Sequence, residues 1–519
     1  MNFKTKSFKF AAPLALGTIL FSMGPSAYAR HHHVSMQADG PTPTASCVFP
    51  DGTSPKRPEV HCYGPKEFLK AYGIDQLHAA GITGKGQVII LADSFGSPTA
   101  QQDLDHFSDT YGIARTKIQF IYPDGPYVND LADDDKVGWA GETTLDLEWA
   151  HAIAPDATIV NIITNVSETV GLAGLPDLFK GVQMVTAQYP GAIISMSFGT
   201  GEPTFTPSDI KDYLQGSFHD ILKQAAKADI TVLASTGDSG TTNEDAAMAN
   251  MIPYQNASYP ASDPLITAVG GTALEIGWKW TPQGTADDFW TCKLFPNSSC
   301  VKDFMAAEVA VNNLETVWKE DWAFAAGGGG LSSIFPGPRY QKNVTATALT
   351  AMKGHRALPD ISMNAAINGG VNIYTSYVAP KFDANGPTWQ NTGGTSCASP
   401  EMAALVALSG QTASDVLGKK VGIGFLNPIL YSLPDSDFND IISASIGDRS
   451  QVSIDNDSIY YSADTFKKYP KQAPPVAVPG YFTTAGYDMA TGLGTPKAER
   501  LVLDIARARV ARDHHFIRK

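Results

Sequence analysis

Beyond its first two dozen residues the chain has no run of about 18 uninterrupted apolar residues, the length a helix needs to cross a bilayer, so no later segment reads as a membrane span. Basic residues are the scarcer charge. Against 52 Asp and Glu stand 38 Lys and Arg, a formal net charge of −14 that argues against a nucleic-acid partner, because a phosphate-binding surface needs clustered cations. Cysteine is limited to five positions, too few to build a disulfide scaffold in a chain of 519 residues, and no internal repeat is visible. What is present is 43% hydrophobic residues with 47 Gly and 34 Pro, the composition of a loop-rich globular protein with a large core. The length could hold two or three average domains or one α/β enzyme with insertions.

The N-terminus supplies a compartment. Lys4, Lys6 and Lys9 precede an apolar run from Phe10 to Met23, and Ala27-Tyr28-Ala29 places small residues where a signal peptidase reads, so cleavage is expected after Ala29. The mature protein is expected to be exported, extracellular or periplasmic, soluble and monomeric. Cys47 with Cys62, and Cys292 with Cys300, each bracket a short loop and make plausible local disulfides, which suits an oxidising compartment. Cys397 is left over and reads as a small packed side chain.

Residues 30–58 are polar and aperiodic, an extended tail; 59–510 read as one domain, and 511–519 as a second tail. Short apolar runs at 87–92, 117–121, 158–163, 192–197, 230–235 and 265–269 alternate with helix-like segments, as in a mostly parallel sheet with helices on both faces. In such α/β sheets the reacting groups gather at the carboxyl ends of the strands. About 275–325 and 450–480 read as insertions on the surface.

The stretch Gly393-Gly394-Thr395-Ser396-Cys397-Ala398-Ser399-Pro400 runs into apolar helix and sets Ser396 at a helix N-terminus, with Pro400 expected in the first turn. There the serine oxygen feels the positive end of the helix dipole, and its N–H is available to a developing oxyanion, as a nucleophile requires. The alternative is that Gly-Thr-Ser merely caps a core helix. None of the eleven histidines sits in a convincing setting to be its base; His31–His33 and His514-His515 are in the tails. A helix beginning at Gly141 instead puts Glu142 and Asp146 four apart on one face, with His151 turned away. Two such carboxyls either form a solvated acidic face or share a proton, which leaves one of them available as a base in acid. A third acid, Asp238, lies in Ser235-Thr236-Gly237-Asp238-Ser239-Gly240 at the end of a strand, where ordinary turn chemistry also accounts for it.

Together with Ser195-Met196-Ser197-Phe198-Gly199, Tyr259-Pro260-Ala261-Ser262 and Val269-Gly270-Gly271-Thr272, these pieces, in this order, resemble the sedolisins. Sedolisins are serine-carboxyl peptidases with the subtilisin architecture and a glutamate in place of histidine. The resemblance covers roughly residues 60–505 and implies a subtilisin-like α/β fold and a secreted, acid-acting endopeptidase of proteins or peptides. It implies that Ser396 attacks the scissile carbonyl, Glu142 takes its proton, Asp146 orients and buffers Glu142, and Asp238 completes the oxyanion hole. Substrate backbone would lie along Ser195, Ser197 and Gly199 and along the glycine run at Gly328. One structural Ca2+ would be held by the carboxylates of Asp440 and Asp488 and the carbonyls of Ile441, Thr484 and Gly486.

The chain departs from the family pattern in three ways. Phe198 stands where the family often has a tryptophan, and Thr484 replaces a glycine. Family members often carry a large prodomain, whereas only residues 30–61 lie between the expected cut and Cys62. Asp93, at the end of the first strand, is a candidate outer member of the acid group. The rival readings are a conventional Ser-His-Asp subtilisin-like peptidase that uses Asp93 and a histidine, and an inactive or binding-only homologue.

Overall fold

The computed structural model describes residues 61–517 together with Cys47, Phe49 and Pro50, except 127, 169–170, 248–250, 276–277, 281–307, 311–313, 321–322, 324, 380–387, 443–454 and 461–475. The expected signal segment, most of the expected N-terminal tail, Cys292 and Cys300 lie outside the described residues. Cys47 and Cys62 form a disulfide.

The central sheet follows the apolar runs. Its strands are β1 (Val88–Ser94), β2 (Gln119–Ile121), β3 (Thr158–Thr164), β4 (Ile193–Met196), β5 (Thr231–Ser235), β6 (Thr267–Glu275), β7 (Leu314–Val317) and β8 (Ile361–Asn364). In space the order is β7-β6-β5-β4-β1-β3-β2, with β8 also on β6. All pairs are parallel except β7 with β6. Every residue of β1 is buried, as expected of a strand covered on both faces. Ile89 and Leu91 pack into one core layer while Ile90 and Ala92 pack into the other, the period of two that a pleated strand imposes. Each such aliphatic side chain contributes roughly 1.5–3 kcal/mol.

Two long helices fill the first layer. Helix α1 (Asp134–Ile153) starts seven residues before the expected Gly141. Its signal is acidic rather than apolar: Asp133 caps it by accepting from the N–H groups of Asp135 and Lys136, with Asp134 and Asp135 in the first turn, where a carboxylate meets the positive end of the dipole. Helix α2 (Thr395–Leu417) is buried almost throughout its first four turns and packs on α1 and on several strands.

Three expectations change. Pro400 lies inside α2 and not in its first turn, because the helix already begins at Thr395. The proline cannot donate to the carbonyl of Ser396, four residues back, and the Ser197 hydroxyl lies 3.3 Å from that oxygen instead. Residues 314–318 of the 275–325 segment join the central sheet and core and are not a surface insertion: β7 pairs with β6, and Trp318 is wholly buried. A helix, Ala498–Ile517, runs through the position expected for a C-terminal tail.

Candidate active site

Because the strands are parallel, their carboxyl ends share one edge, and four segments converge there: β1 with Asp93 as its next-to-last residue, β4 leading to Ser197, β5 leading to Asp238, and the start of α2. Gly394, just before α2, has φ 117°, a conformation that disfavours any side chain. Gly393 is equally constrained, since a Cβ there would stand 2.6 Å from the backbone of Ala366. This glycine pair is what allows the chain to turn sharply and deliver Ser396 onto the strand ends.

Ser396, Glu142 and Asp146 are all buried. Ser197 links the two helices that carry them: its hydroxyl lies 2.9 Å from Asp146 Oδ1 and within reach of the Ser396 carbonyl. Asp146 is held well above the usual carboxylate range, first by burial, then by the charges of Asp93 and Glu142, and against the pull of the Ser197 hydrogen bond. Asp93 is pushed up to about 7 by burial, although Asn161 and Thr143 hydrogen bonds oppose the shift. Three carboxyl groups thus occupy one enclosed, low-dielectric volume. Like charges this close cannot all ionise together, so the group retains protons well above the usual carboxylate range. Glu142 and Asp146 are therefore not a solvated acidic face, and Asp93 joins them from β1.

On the other side of Ser396, Asp238 Oδ1 accepts from the Thr395 N–H at 2.8 Å and from the Thr395 hydroxyl at 2.7 Å, and that hydroxyl accepts the Gly237 N–H at 3.1 Å. Asp238 is thereby fixed against the residue preceding the serine, not left as a turn side chain.

The residues expected to hold substrate backbone are arranged unequally. The Ser195 hydroxyl pairs with Ser399 at 2.8 Å and ties β4 to α2. Gly199 lies at the edge of this frame and is partly exposed. Gly328 is a brace: its N–H donates to Gly237, its carbonyl accepts the Thr236 hydroxyl, and a Cβ would stand 2.1 Å from the Thr236 oxygen. Asn456, from the segment expected to be surface insertion, is buried and donates to the Gly327 carbonyl.

The described histidines have other work. His78 and His151 lie 2.8 Å from the carbonyls of Ile153 and Ala114, His355 lies 2.8 Å from that of Ser332, His219 pairs with Asp263, and His106 stacks on Tyr374. Burial lowers His61 to about 4. Cys397 is buried, and burial together with the charges of Glu401, Glu142, Asp238 and Asp146 drives its thiol well above the usual range, so it is inert as a nucleophile.

Thr395, Asn161, Asn456 and the Ser195–Ser399 pair escaped the reading of the sequence. Asn161 carried a signal, a polar side chain within the apolar strand Ile159-Val160-Asn161-Ile162-Ile163; the others carried none.

At the expected calcium position, Asp440 Oδ2 accepts the Gly486 N–H at 2.8 Å, and Asp488 accepts the N–H groups of Thr484, Ala490 and Thr491. Backbone N–H groups so tie the two carboxylates to the 484–491 loop, and oxygens are the ligand type a hard cation takes. Among the described residues no cluster of three or more His, Cys, Asp or Glu side chains could hold a metal ion.

The family described as "Subtilase family" matches residues 139–419, which is more than half the chain and includes Glu142, Asp146, Asp238 and Ser396. The chain belongs to the subtilase family. Its relatives place it with the sedolisins. This subtilase is 27% identical over 444 residues to kumamolisin of Bacillus sp. (strain MN-32), an alignment covering 85% of this chain and 63% of that protein. It is 26% identical over 361 residues to sedolisin of Pseudomonas sp. (strain 101), covering 69% of this chain and 51% of that protein. It therefore spans about half to three fifths of the length of these curated relatives. The solved structure of Pseudomonas sedolisin, described as a serine-carboxyl proteinase and complexed with two molecules of pseudo-iodotyrostatin, superposes with a TM-score of 0.57 at 22% identity, covering 87% of this chain and 99% of that one. The subtilisin-like α/β fold is thus shared. Within the described residues of this subtilase no helix is long and apolar enough to cross a membrane.

Proposed function

We propose that this protein is a secreted serine-carboxyl endopeptidase that hydrolyses peptide bonds in acid. The observation that carries the reading is the sharing of one enclosed volume by Asp93, Glu142 and Asp146, with Ser197 joining Asp146 to the backbone of Ser396. Ser396 Oγ attacks the scissile carbonyl carbon while Glu142 takes its proton, and the carbonyl oxygen becomes an oxyanion facing the Ser396 N–H and Asp238. Collapse of the tetrahedral adduct breaks the C–N bond, Glu142 returns the proton to the leaving amine, and an acyl-enzyme remains. Water then repeats the sequence and releases the acid. Asp146 supports Glu142 by sharing protons with it, and Asp93 sustains that sharing from behind. The substrate backbone extends beside Ser195–Gly199 and the glycine run braced by Gly328.

A group whose pKa is raised by folding keeps its proton up to that higher pKa. With Asp93 pushed up to about 7 and Asp146 higher than usual, the proton-sharing state is present in acid and is lost as pH rises through neutrality. A pH–activity profile of the purified protein on a denatured protein substrate should therefore peak on the acid side and decline toward pH 7. A neutral or alkaline optimum would restore the histidine-based alternative, and no cleavage at any pH would make the chain a binding-only homologue.

Asp440 and Asp488, with the carbonyls of Ile441, Thr484 and Gly486, are proposed to hold one structural Ca2+. When bound, the ion supplies positive charge that pins the 440–441 and 484–488 segments together. At calcium 100-fold above its dissociation constant, an ion bound only by the folded chain adds about 2.7 kcal/mol of stability. Excess chelator and Asp488→Ala should each lower the melting temperature and speed autolysis; a melting temperature indifferent to chelator would remove the site.

A further inference from the structure

Glu401 is the one charged residue in the long apolar stretch of α2, directly after Pro400 and one and a half turns beyond Ser396. It is wholly buried, and among the described residues neither carboxyl oxygen has a hydrogen-bond partner. A charge there would have neither water nor a donor to stabilise it.

Glu315 on β7 is the acid whose charge acts on it. The two acids are provided for very differently. Glu315 Oε1 accepts the hydroxyls of Tyr72 at 2.6 Å and Thr272 at 2.7 Å, and Oε2 accepts the Thr495 hydroxyl at 2.5 Å and the Asn439 amide at 3.4 Å. Donors therefore surround Glu315, and none reaches Glu401, so burial favours the protonated form of Glu401. Tyr72, at the end of the helix Pro65–Tyr72, feels both acids, and Cys397, one turn earlier on α2, feels Glu401 along with Glu142, Asp146 and Asp238. Among the described residues no ionisable group besides Glu315, Tyr72 and Cys397 interacts with Glu401, although α1, β1, β4, β5, β6, β8 and the helix Ala498–Ile517 all pack on α2.

We propose that Glu401 is a positioning residue: its buried proton lets the first turns of α2 stay seated on the sheet and keeps Ser396 in place, and losing that proton adds to the decline that the group of Asp93, Glu142 and Asp146 imposes as pH rises. The inference rests on the reading of Ser396 as nucleophile. In acid, Glu401 is a neutral side chain of ordinary shape within the apolar layer. Once ionised beside Glu315, it places an unsolvated negative charge against another carboxylate, and the helix can relieve it only by moving toward water.

The direction of the effect follows from linkage. Burial and Glu315 raise Glu401 well above the usual glutamate range, so the folded chain holds a proton that the unfolded chain releases above its ordinary pKa of about 4.3. The stability this proton confers is complete in acid, and it is lost as pH rises from that value toward the folded-state pKa. Asp93, Asp146 and Glu148 act in the same direction, and a variant at 401 removes one contribution from the set.

The test uses Glu401→Gln, which keeps the shape and cannot ionise, with Glu401→Leu as a second non-ionising replacement should the amide fold poorly. Melting temperatures are measured from pH 3 to pH 8 in a Ser396→Ala background, which prevents autolysis. Peptide hydrolysis is followed over the same range without that substitution, each profile normalised to its own optimum. The expected result is that the variant and parent melt alike near pH 4 and diverge above it, the variant being the more stable. The falling limb of activity should move up by about one pH unit, tenfold on that limb. Parallel melting curves together with an unmoved limb for both variants would overturn the proposal. Divergent melting curves in a protein that cleaves no peptide at any pH would support the Glu401 proton and count against the peptidase reading alone.

Discussion

Ser396→Ala and Glu142→Gln should each lower turnover of a peptide substrate by roughly 10⁴- to 10⁶-fold, the scale seen when members of a serine-protease triad are removed. Both replacements are close to isosteric and both sites are buried, so the fold should survive and the loss should appear in kcat. In the proposed mechanism Ser396 and Glu142 exchange one proton and act as a unit, so the double variant should be little worse than either single one. The same measurement on His219→Gln and His355→Gln should leave most activity, since those rings are engaged with Asp263 and the Ser332 carbonyl. A well-folded histidine variant without activity would displace Glu142 as the base.

Asp238→Ala is expected to cost on the order of 10²- to 10³-fold in kcat, the usual effect of losing one oxyanion donor. The hydrogen bonds around Asp238 allow a finer expectation for Asp238→Asn. Thr395 offers two donors, its N–H and its hydroxyl, to Oδ1, so an asparagine must turn its oxygen toward Thr395 and its NH2 toward the position now held by Oδ2. That NH2 keeps a donor at this position. Asp238→Asn should accordingly retain more activity than the alanine variant. If Asp238→Ala turned over peptide at the parent rate, Asp238 would be a turn residue and the oxyanion assignment would fall.

Several features were legible in the order of residues alone. The apolar runs located β1 and β3 to within a residue or two, because a strand buried on both faces must be apolar throughout. The spacing of Glu142 and Asp146 placed them on one helical face, and the small residues around Gly394 announced a serine at a helix start, both consequences of local backbone geometry. The start of α1 was misplaced by seven residues, since its cap is a run of aspartates that reads equally well as loop.

Tertiary structure alone decided which distant groups meet. Asp93 lies 53 residues from Asp146 in the chain and becomes its neighbour because parallel strands bring their carboxyl ends to one edge. Thr395 and Asp238, 157 residues apart, are joined by the same edge. Trp318 and Glu315 read as part of a surface insertion, whereas β7 pairs with β6, and only that pairing brings the charge of Glu315 to bear on Glu401. Helix and strand periods are local and repeat along the chain, so a sequence displays them directly. The solvation of a carboxyl depends on whatever strand or helix arrives beside it from elsewhere, and that is settled only when the sheet has closed over the site.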